Sequence, residues 1–344
     1  MASALPMAPA PKGPLNRYRL LSPTASLRVS PLCLGAMNFG NAWKDFMGTC
    51  DQQTTESILD FFYEQVIATK YTTNFKAGTG DKHIMANFTG NGTKSLHTSV
   101  NASLKKLQTD YIDLLYVHWW DFSCSIPELM QSLNTLVTQG KVLYLGVSDT
   151  PAWVVSKANQ YARDHGLRQF CVYQGRWSAA SRDFEREIIP MCREEGMGIA
   201  PWGALGGGAF KTEEQRKAQE GRKIQATEAQ VKISKVLESI ADRKSTAITS
   251  VALAYVTHKT PYVFPIVGGR TIDHLKVNIE ALNLRLSQED IKEIESAVPF
   301  DLGFPSTFFY REGPVEHPNQ VWLLGMAGTF DYVPLPEPIK PSEN

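Results

Sequence analysis

Seven short apolar runs recur along the chain, at residues 32–34, 66–69, 112–118, 142–147, 170–173, 198–202 and 263–267. Near-continuous hydrophobicity over so few residues suits a parallel strand buried on both faces. Between the runs, apolar residues return every three or four positions, the period of an amphipathic helix. Leu96, Val100, Leu104 and Leu107, for example, share one helical face. The punctuation agrees. Ser125-x-x-Glu128 reads as a capping box, and the helix it opens ends before Gly140. Thr150-Pro151 reads as a cap followed by a first-turn proline, and Gly166 closes that helix. Ahead of the runs, residues 18–21 and 27–29 flank Ser22-Pro23-Thr24 as the arms of a hairpin. Alternating strands and helices imply a parallel sheet with right-handed crossovers. A barrel and a doubly wound sheet both satisfy this pattern.

One junction breaks the rhythm. A helix from about Thr54 to Gln65, with Ile58, Leu59 and Phe62 inward, runs straight into the apolar run at 66–69. No Gly, Pro, Asn or Ser stands between them, although such connections usually take about 2–6 residues. Seven strands are therefore legible where eight would close a ring.

Composition narrows the class. The 344 residues exceed the roughly 250 of a (β/α)8 barrel, so one domain over 17–300 fits, with a disordered tail at 1–16 and a C-terminal extension at 301–344. Lys+Arg and Asp+Glu both number 35, which gives no global positive field to attract nucleic acid or a membrane surface. Five cysteines without a C-x-x-C pair read as reduced thiols of a cytoplasmic protein, with neither disulfide framework nor metal site. No run approaches the roughly 18 apolar residues of a membrane helix, and the first fifteen residues lack the apolar core of a secretory leader.

Candidate chemistry gathers at strand ends, where barrel enzymes place their sites. The run at 112–118 ends in His118-Trp119-Trp120-Asp121. A neutral imidazole there can donate to a substrate carbonyl; the alternative is a packed core histidine. Lys70 follows the run at 66–69 and either lowers a neighbouring tyrosine's pKa or meets a cofactor, or else snorkels to solvent. Gly203-Ala204-Leu205-Gly206-Gly207-Gly208 follows Trp202 and is either a pyrophosphate cradle or a flexible loop. Gly268-Gly269-Arg270-Thr271 precedes a helix carrying His274, Lys276 and Asn278, either a phosphate site or an ordinary surface helix.

Together these residues carry a resemblance. From Tyr18 to about Pro299 the chain resembles the aldo-keto reductases. The resemblance rests on Arg28-Val-Ser-Pro-Leu-Cys-Leu-Gly35, on Leu104-x-x-Leu-x-x-Asp-Tyr-Ile-Asp-Leu-Leu-Tyr-Val-His118, on Gly146-Val-Ser148, on Tyr173-Gln174 and on the Gly-Gly-Arg270 segment. Gly35-Ala-Met-Asn-Phe-Gly-Asn-Ala-Trp43 and Ala68-Thr-Lys-Tyr-Thr-Thr73 further resemble the fungal aryl-alcohol dehydrogenase and norsolorinic acid reductase branch, common in polyketide and meroterpenoid pathways. The resemblance implies an α/β fold, a (β/α)8 TIM-type barrel with an N-terminal hairpin, and NADP(H)-dependent interconversion of carbonyl and alcohol. It implies Lys70 and His118 as catalytic residues, with His118 and Trp119 meeting the substrate. It further implies Ser148, Asp149 and Gln174 at the nicotinamide, Gly203, Ala204, Leu205, Gly206, Gly207 and Lys211 at the pyrophosphate, and Gly268, Gly269, Arg270, His274, Lys276 and Asn278 at the adenosine phosphate.

The family's catalytic Asp and Tyr have no counterparts here. They belong on a strand and helix, the second βα segment, that would stand after Gln65, where the turnless junction lies. Tyr71 alternates to the opposite face from Lys70, and Tyr116 shares the face of His118 but lies about 7 Å deeper at roughly 3.3 Å per residue. Three readings follow: an active reductase, a cofactor-binding protein that acts through partners, or a coding sequence read without one of its exons.

Overall fold

A computed structural model describes residues 7–41, 44–62, 66–80, 84–218, 224–310 and 318–341. The hairpin is β1 (Arg19–Ser22) and β2 (Ala25–Val29), paired antiparallel. Next come β3 (Cys33–Leu34), α1 (Lys44–Met47), α2 (Gln52–Phe62), β4 (Ala68–Tyr71) and α3 (Thr93–Leu107). The alternation continues with β5 (Ile112–Val117), α4 (Ile126–Thr138), β6 (Val142–Ser148), α5 (Ala152–Asp164), β7 (Phe170–Arg176), α6 (Ile188–Glu194) and β8 (Gly198–Trp202). The rest of the chain forms α7 (Glu213–Lys217), α8 (Glu228–Arg243), α9 (Ile248–Lys259), β9 (Ile266–Val267), α10 (Ile272–Glu280), α11 (Gln288–Ser296) and α12 (Ser306–Phe309).

Strands β4 to β8 form one parallel sheet in chain order. A parallel bridge continues it from Ile199 in β8 to Val263, and β9 then pairs in parallel with β3 through Cys33↔Ile266 and Leu34↔Val267. Neighbours therefore follow one another from β4 round to β3. Among the described residues no ladder joins β3 to β4. Among the described residues no closed ring is traced, and the interval between β3 and β4 contains the Gln65–Val66 junction. Tyr63, Glu64 and Gln65, at the junction itself, lie outside the described residues.

The strand at the break differs from expectation in register. The apolar run pointed to 66–69, but β4 covers Ala68–Tyr71, so Lys70 lies inside the strand. Ile67 is 44% exposed and its backbone N–H donates to Asp113 Oδ2 at 3.0 Å. In α2, Ile58 and Phe62 are buried as expected, whereas Leu59 is 48% exposed and faces away from the core.

Two apolar clusters fill the structure. The larger lies between strands and helices and includes Ile58, Leu96, Leu115, Val117, Leu133, Val147 and Val154. The smaller sits inside the curve of the sheet: Leu114, Tyr116, Val172, Ala200 and Phe264 meet Leu21 and Ala25 of the hairpin. A Cβ at Gly198 would lie 2.2 Å from the Leu21 carbonyl oxygen, so the hairpin packs against the N-terminal end of β8. It covers that end of the interior and leaves the C-terminal strand ends for chemistry.

The caps form differently from their sequence reading. Ser125 accepts from the Glu128 backbone N–H, but the Glu128 carboxylate turns to Thr93, accepting from its N–H and its hydroxyl, each at 3.0 Å. The expected reciprocal box is thus half-made, and Glu128 ties the starts of α3 and α4 together. Thr150 does not cap α5. Its hydroxyl donates to the Ser148 carbonyl at 2.8 Å, and Pro151 takes the cap position. Order begins inside the expected tail, because Pro14–Asn16 form a 3-10 turn and Ser30 Oγ donates to the Leu15 carbonyl at 3.0 Å.

Candidate active site

Parallel register brings the expected groups to one rim. Lys70 pairs with Tyr116 and Tyr71 with Val117, Val117 with Val147, and Ser148 with Gln174. His118 follows directly on β5. The Lys70 ammonium lies over the Tyr116 ring, 5.3 Å from its centroid. Burial holds the Lys70 pKa below its ordinary value, opposed by the fields of Cys33 and Asp149. Burial, and then the Lys70 charge, push the His118 pKa down, opposed by Asp149. A neutral imidazole beside an ammonium follows, which suits a hydrogen-bond donor to a carbonyl.

The nearest partners of His118 come from residues the sequence did not single out. Its Nδ1 lies 2.9 Å from Thr73 Oγ1, and the Trp119 indole N–H donates to the same oxygen at 2.9 Å. Thr73 is aimed there by a kink at Thr72, whose φ of 96° is costly for a β-branched residue. Four contacts hold the kink. Thr72 Oγ1 accepts from the His118 backbone N–H at 3.3 Å and from Asn91 Nδ2 at 3.2 Å. The Thr72 carbonyl accepts from Gly90 N–H at 2.8 Å and from Thr89 Oγ1 at 3.0 Å. Asn91 also exchanges two 2.7 Å bonds with Asp121. The Asp121 that ends the His-Trp-Trp motif therefore serves the scaffold. Only the polar cluster 72–73 after β4 hinted at this, and no spacing rule reads such cross-loop contacts.

The nicotinamide-side candidates also converge. Ser148 Oγ donates to Asp149 Oδ2 at 2.7 Å, and the Asp149 backbone N–H donates to the Gln174 carbonyl at 3.0 Å. The Trp202 indole N–H approaches the Asp149 carboxylate at 3.4 Å. Gln174 is buried and hydrogen-bonded to Tyr116. Tyr116 is itself buried, with its hydroxyl pushed well above the ordinary phenol range, mainly by burial. Its ring lies so close to Gly146 that a Cβ there would come within 2.6 Å. Tyr71 points the other way, its hydroxyl donating to the Asn91 carbonyl at 3.2 Å.

The glycine loop after β8 turns through Gly206 and Gly207, both at positive φ, and a Cβ at Gly207 would meet nothing within 4 Å. Ala204 is buried, Leu205 and Lys211 half-buried. After β9, Asn38 Nδ2 donates to the Gly269 carbonyl at 2.7 Å, a link the sequence did not announce. Gly268 lies beside the same asparagine. Arg270 precedes the N-cap of α10, where Thr271 accepts from the His274 backbone N–H. His274 is exposed and Asn278 buried, while Lys276 lies on the surface paired with Asp273 at 3.2 Å. A separate cleft of about 480 Å³, lined by Thr24, Tyr144, Arg168 and Cys171 among others, opens beside the hairpin and touches none of these groups.

The family model for the aldo/keto reductase family matches residues 60–299. Norsolorinic acid reductase B from Dothistroma septosporum is 54% identical over 370 aligned residues, covering 94% of this chain and 94% of that protein. Norsolorinic acid reductase A from Aspergillus parasiticus is 50% identical over 377, covering 98% and 96%. An aryl-alcohol dehydrogenase [NADP(+)] from Phanerodontia chrysosporium is 43% identical over 386, covering 98% and 99%. Each alignment is longer than the 344 residues of the chain, so each relative carries residues within the matched region that have no counterpart here.

Proposed function

The chain belongs to the aldo/keto reductase family and is an oxidoreductase by type, and from that premise we propose that it binds NADP(H) and serves carbonyl–alcohol interconversion in a fungal polyketide or meroterpenoid pathway, with its chemical step impaired. The observation that carries this reading is a half-complete rim: Lys70, His118, Ser148 and Gln174 gathered beside an unladdered gap between β3 and β4. The gap, together with alignments longer than the chain, supports the view that one βα segment is lacking after Gln65. The five free thiols support a cytoplasmic site of action.

The residues present fit a dinucleotide. Gln174 presents a buried amide at the rim, and the glycine loop after β8 turns at positive φ through Gly203, Gly206, Gly207 and Gly208, which suits close backbone approach to a pyrophosphate. When bound, the nicotinamide supplies the hydride. Ser148, Asp149 and Gln174 would hold its carboxamide, and residues 203–208 with Lys211 the pyrophosphate. Gly268, Gly269, Arg270, His274, Lys276 and Asn278 would surround the adenosine phosphate.

His118, neutral, donates to the substrate carbonyl oxygen and Trp119 walls the site. Among the described residues, the tyrosine that the resemblance implies as proton donor to the developing alkoxide has no counterpart. Tyr116 does not replace it, because its hydroxyl is buried and engaged with Gln174. A positioned general acid contributes about 10²–10⁴-fold, so turnover is expected to fall by that order while NADPH still binds. Fluorescence titration with NADPH followed by turnover of simple aromatic aldehydes tests both halves. Turnover near the ordinary ~10 per second would defeat the impaired-step reading, and no NADPH binding would defeat the cofactor reading.

A further inference from the structure

Two polar contacts meet on one oxygen at the mouth of the gap. The Trp119 indole N–H donates to Thr73 Oγ1 at 2.9 Å, and His118 Nδ1 lies 2.9 Å from the same atom. An indole nitrogen can only donate, whereas a threonine hydroxyl has one proton and two lone pairs. Trp119 fills one lone pair. If His118 Nδ1 carried a proton, Thr73 would become a double acceptor and would have to give its own proton to solvent. With Nδ1 bare, the hydroxyl donates to it, and the indole bond polarises that O–H into a better donor. The chain of bonds then runs one way, from indole to hydroxyl to imidazole.

We propose that Thr73 is a positioning residue that fixes His118 in the tautomer protonated at Nε2. The proposal rests on the role given to His118 above and says how that role is secured. Only a protonated Nε2 can donate to a carbonyl once Nδ1 is taken up by Thr73. The kink at Thr72 has a purpose on this view. Its φ of 96° and the bond from the His118 backbone N–H to Thr72 Oγ1 set residue 73 against the ring edge. A threonine thus fixes the tautomer by donating to a ring nitrogen, the opposite sense to a carboxylate partner, which accepts from a ring N–H. One hydrogen bond of ordinary net strength biases the tautomer ratio by roughly five- to tenfold.

The test is long-range proton–nitrogen correlation NMR on the full chain, with His118 assigned by the His118→Gln variant. In the unaltered protein the His118 signals should show protonation at Nε2 near neutral pH, and a protonated Nδ1 would overturn the proposal without any variant. Thr73→Val should move both nitrogens toward averaged values and raise the pH at which the ring titrates, because the neutral form loses a donor. Thr73→Ser should restore the original pattern, and Trp119→Phe should shift it part of the way. A Thr73→Val spectrum identical to that of the parent would also overturn it. The readout needs neither cofactor nor turnover. A chain that fails to bind NADPH would therefore sink the functional reading and leave the tautomer assignment standing.

Discussion

Gly48 leaves room for Arg270. A Cβ at Gly48 would fall 2.3 Å from the Arg270 Nη1, so the guanidinium lies against bare backbone, just ahead of the α10 N-cap. A rigid fork of donors beside a helix N-terminus suits a phosphate monoester. Arg270→Ala is expected to weaken NADPH binding roughly tenfold or more, the scale of one charge-assisted hydrogen bond, and NADH binding far less. Parallel titrations of the two cofactors check this, and equal losses would remove Arg270 from the role. At this scale the sequence was informative where chemistry sits at a strand end. Lys70, His118, Ser148 and Gln174 could be placed by counting along strands, because parallel register carries neighbours to one rim. Thr73 and Asn38 could not. Their partners are 45 and 231 positions away, and a polar residue in a loop carries no mark of what it will face.

Elements are tied to one another by a buried charge network as well as by apolar packing. Arg182 donates to both Glu185 oxygens at 2.9 and 2.8 Å. Glu185 also receives the Trp177 indole N–H at 3.3 Å and lies 3.7 Å from Lys259 of α9. Lys259 and Arg182 both reach Glu295 of α11, and the Phe300 ring lies 4.7 Å beneath the Arg182 guanidinium. Burial raises the Glu185 pKa, but Arg182 and Lys259 outweigh it and hold the carboxyl below its usual range. The stabilisation is therefore present above the unfolded carboxylate pKa and is lost as pH falls through the folded one. Glu185→Ala leaves two cations facing one carboxylate, and about 3–5 kcal/mol of stability should go. Urea unfolding at neutral pH checks it, and a loss under about 1 kcal/mol would show the network to be dispensable. Helix existence was legible from periodicity and glycine punctuation, but the caps were not. Glu128 left its own helix for Thr93, a tertiary partner 35 positions away, whereas Thr150 turned back to the carbonyl of Ser148, a local competitor two positions away.

Over the whole molecule, distant segments converge on His258. It is buried at 7% exposure, accepts from the Leu286 backbone N–H at Nδ1, and lies within the fields of Lys340, Arg285 and Arg19. Burial first, then those cations, depress its pKa to about 4. Arg285 in turn donates to the Pro341 carbonyl at 2.8 Å, so the C-terminal extension is docked here. The unfolded chain binds the proton from about pH 6.5 downward, while the fold refuses it until about pH 4. Stability should therefore fall across that window, by about 3 kcal/mol at one unit per 1.36 kcal/mol. Comparing the pH dependence of thermal unfolding in His258→Gln with that of the parent isolates the effect, and parallel curves would refute it. The turnless junction before β4 was legible beforehand because a missing turn is a local signal; that the strands bend round through Val263 to β9 was implied by the resemblance alone, since the strand runs suit a doubly wound sheet equally and pairing is a long-range outcome. That same pairing fixes an order of events. Cys33 N–H donates to Pro265 O and Gly35 N–H to Val267 O, so β3, made early on the ribosome, must wait for β9, its strand partner among the described residues. Strands β4 to β8 can assemble with sequence neighbours as they emerge, whereas β3 bears the loop-closure entropy of the whole stretch between Cys33 and Ile266. The loop at 268–270, anchored by Asn38 to the early segment, takes its shape only at that final docking. A nascent chain can thus shape its 268–270 loop only after β9 has found β3.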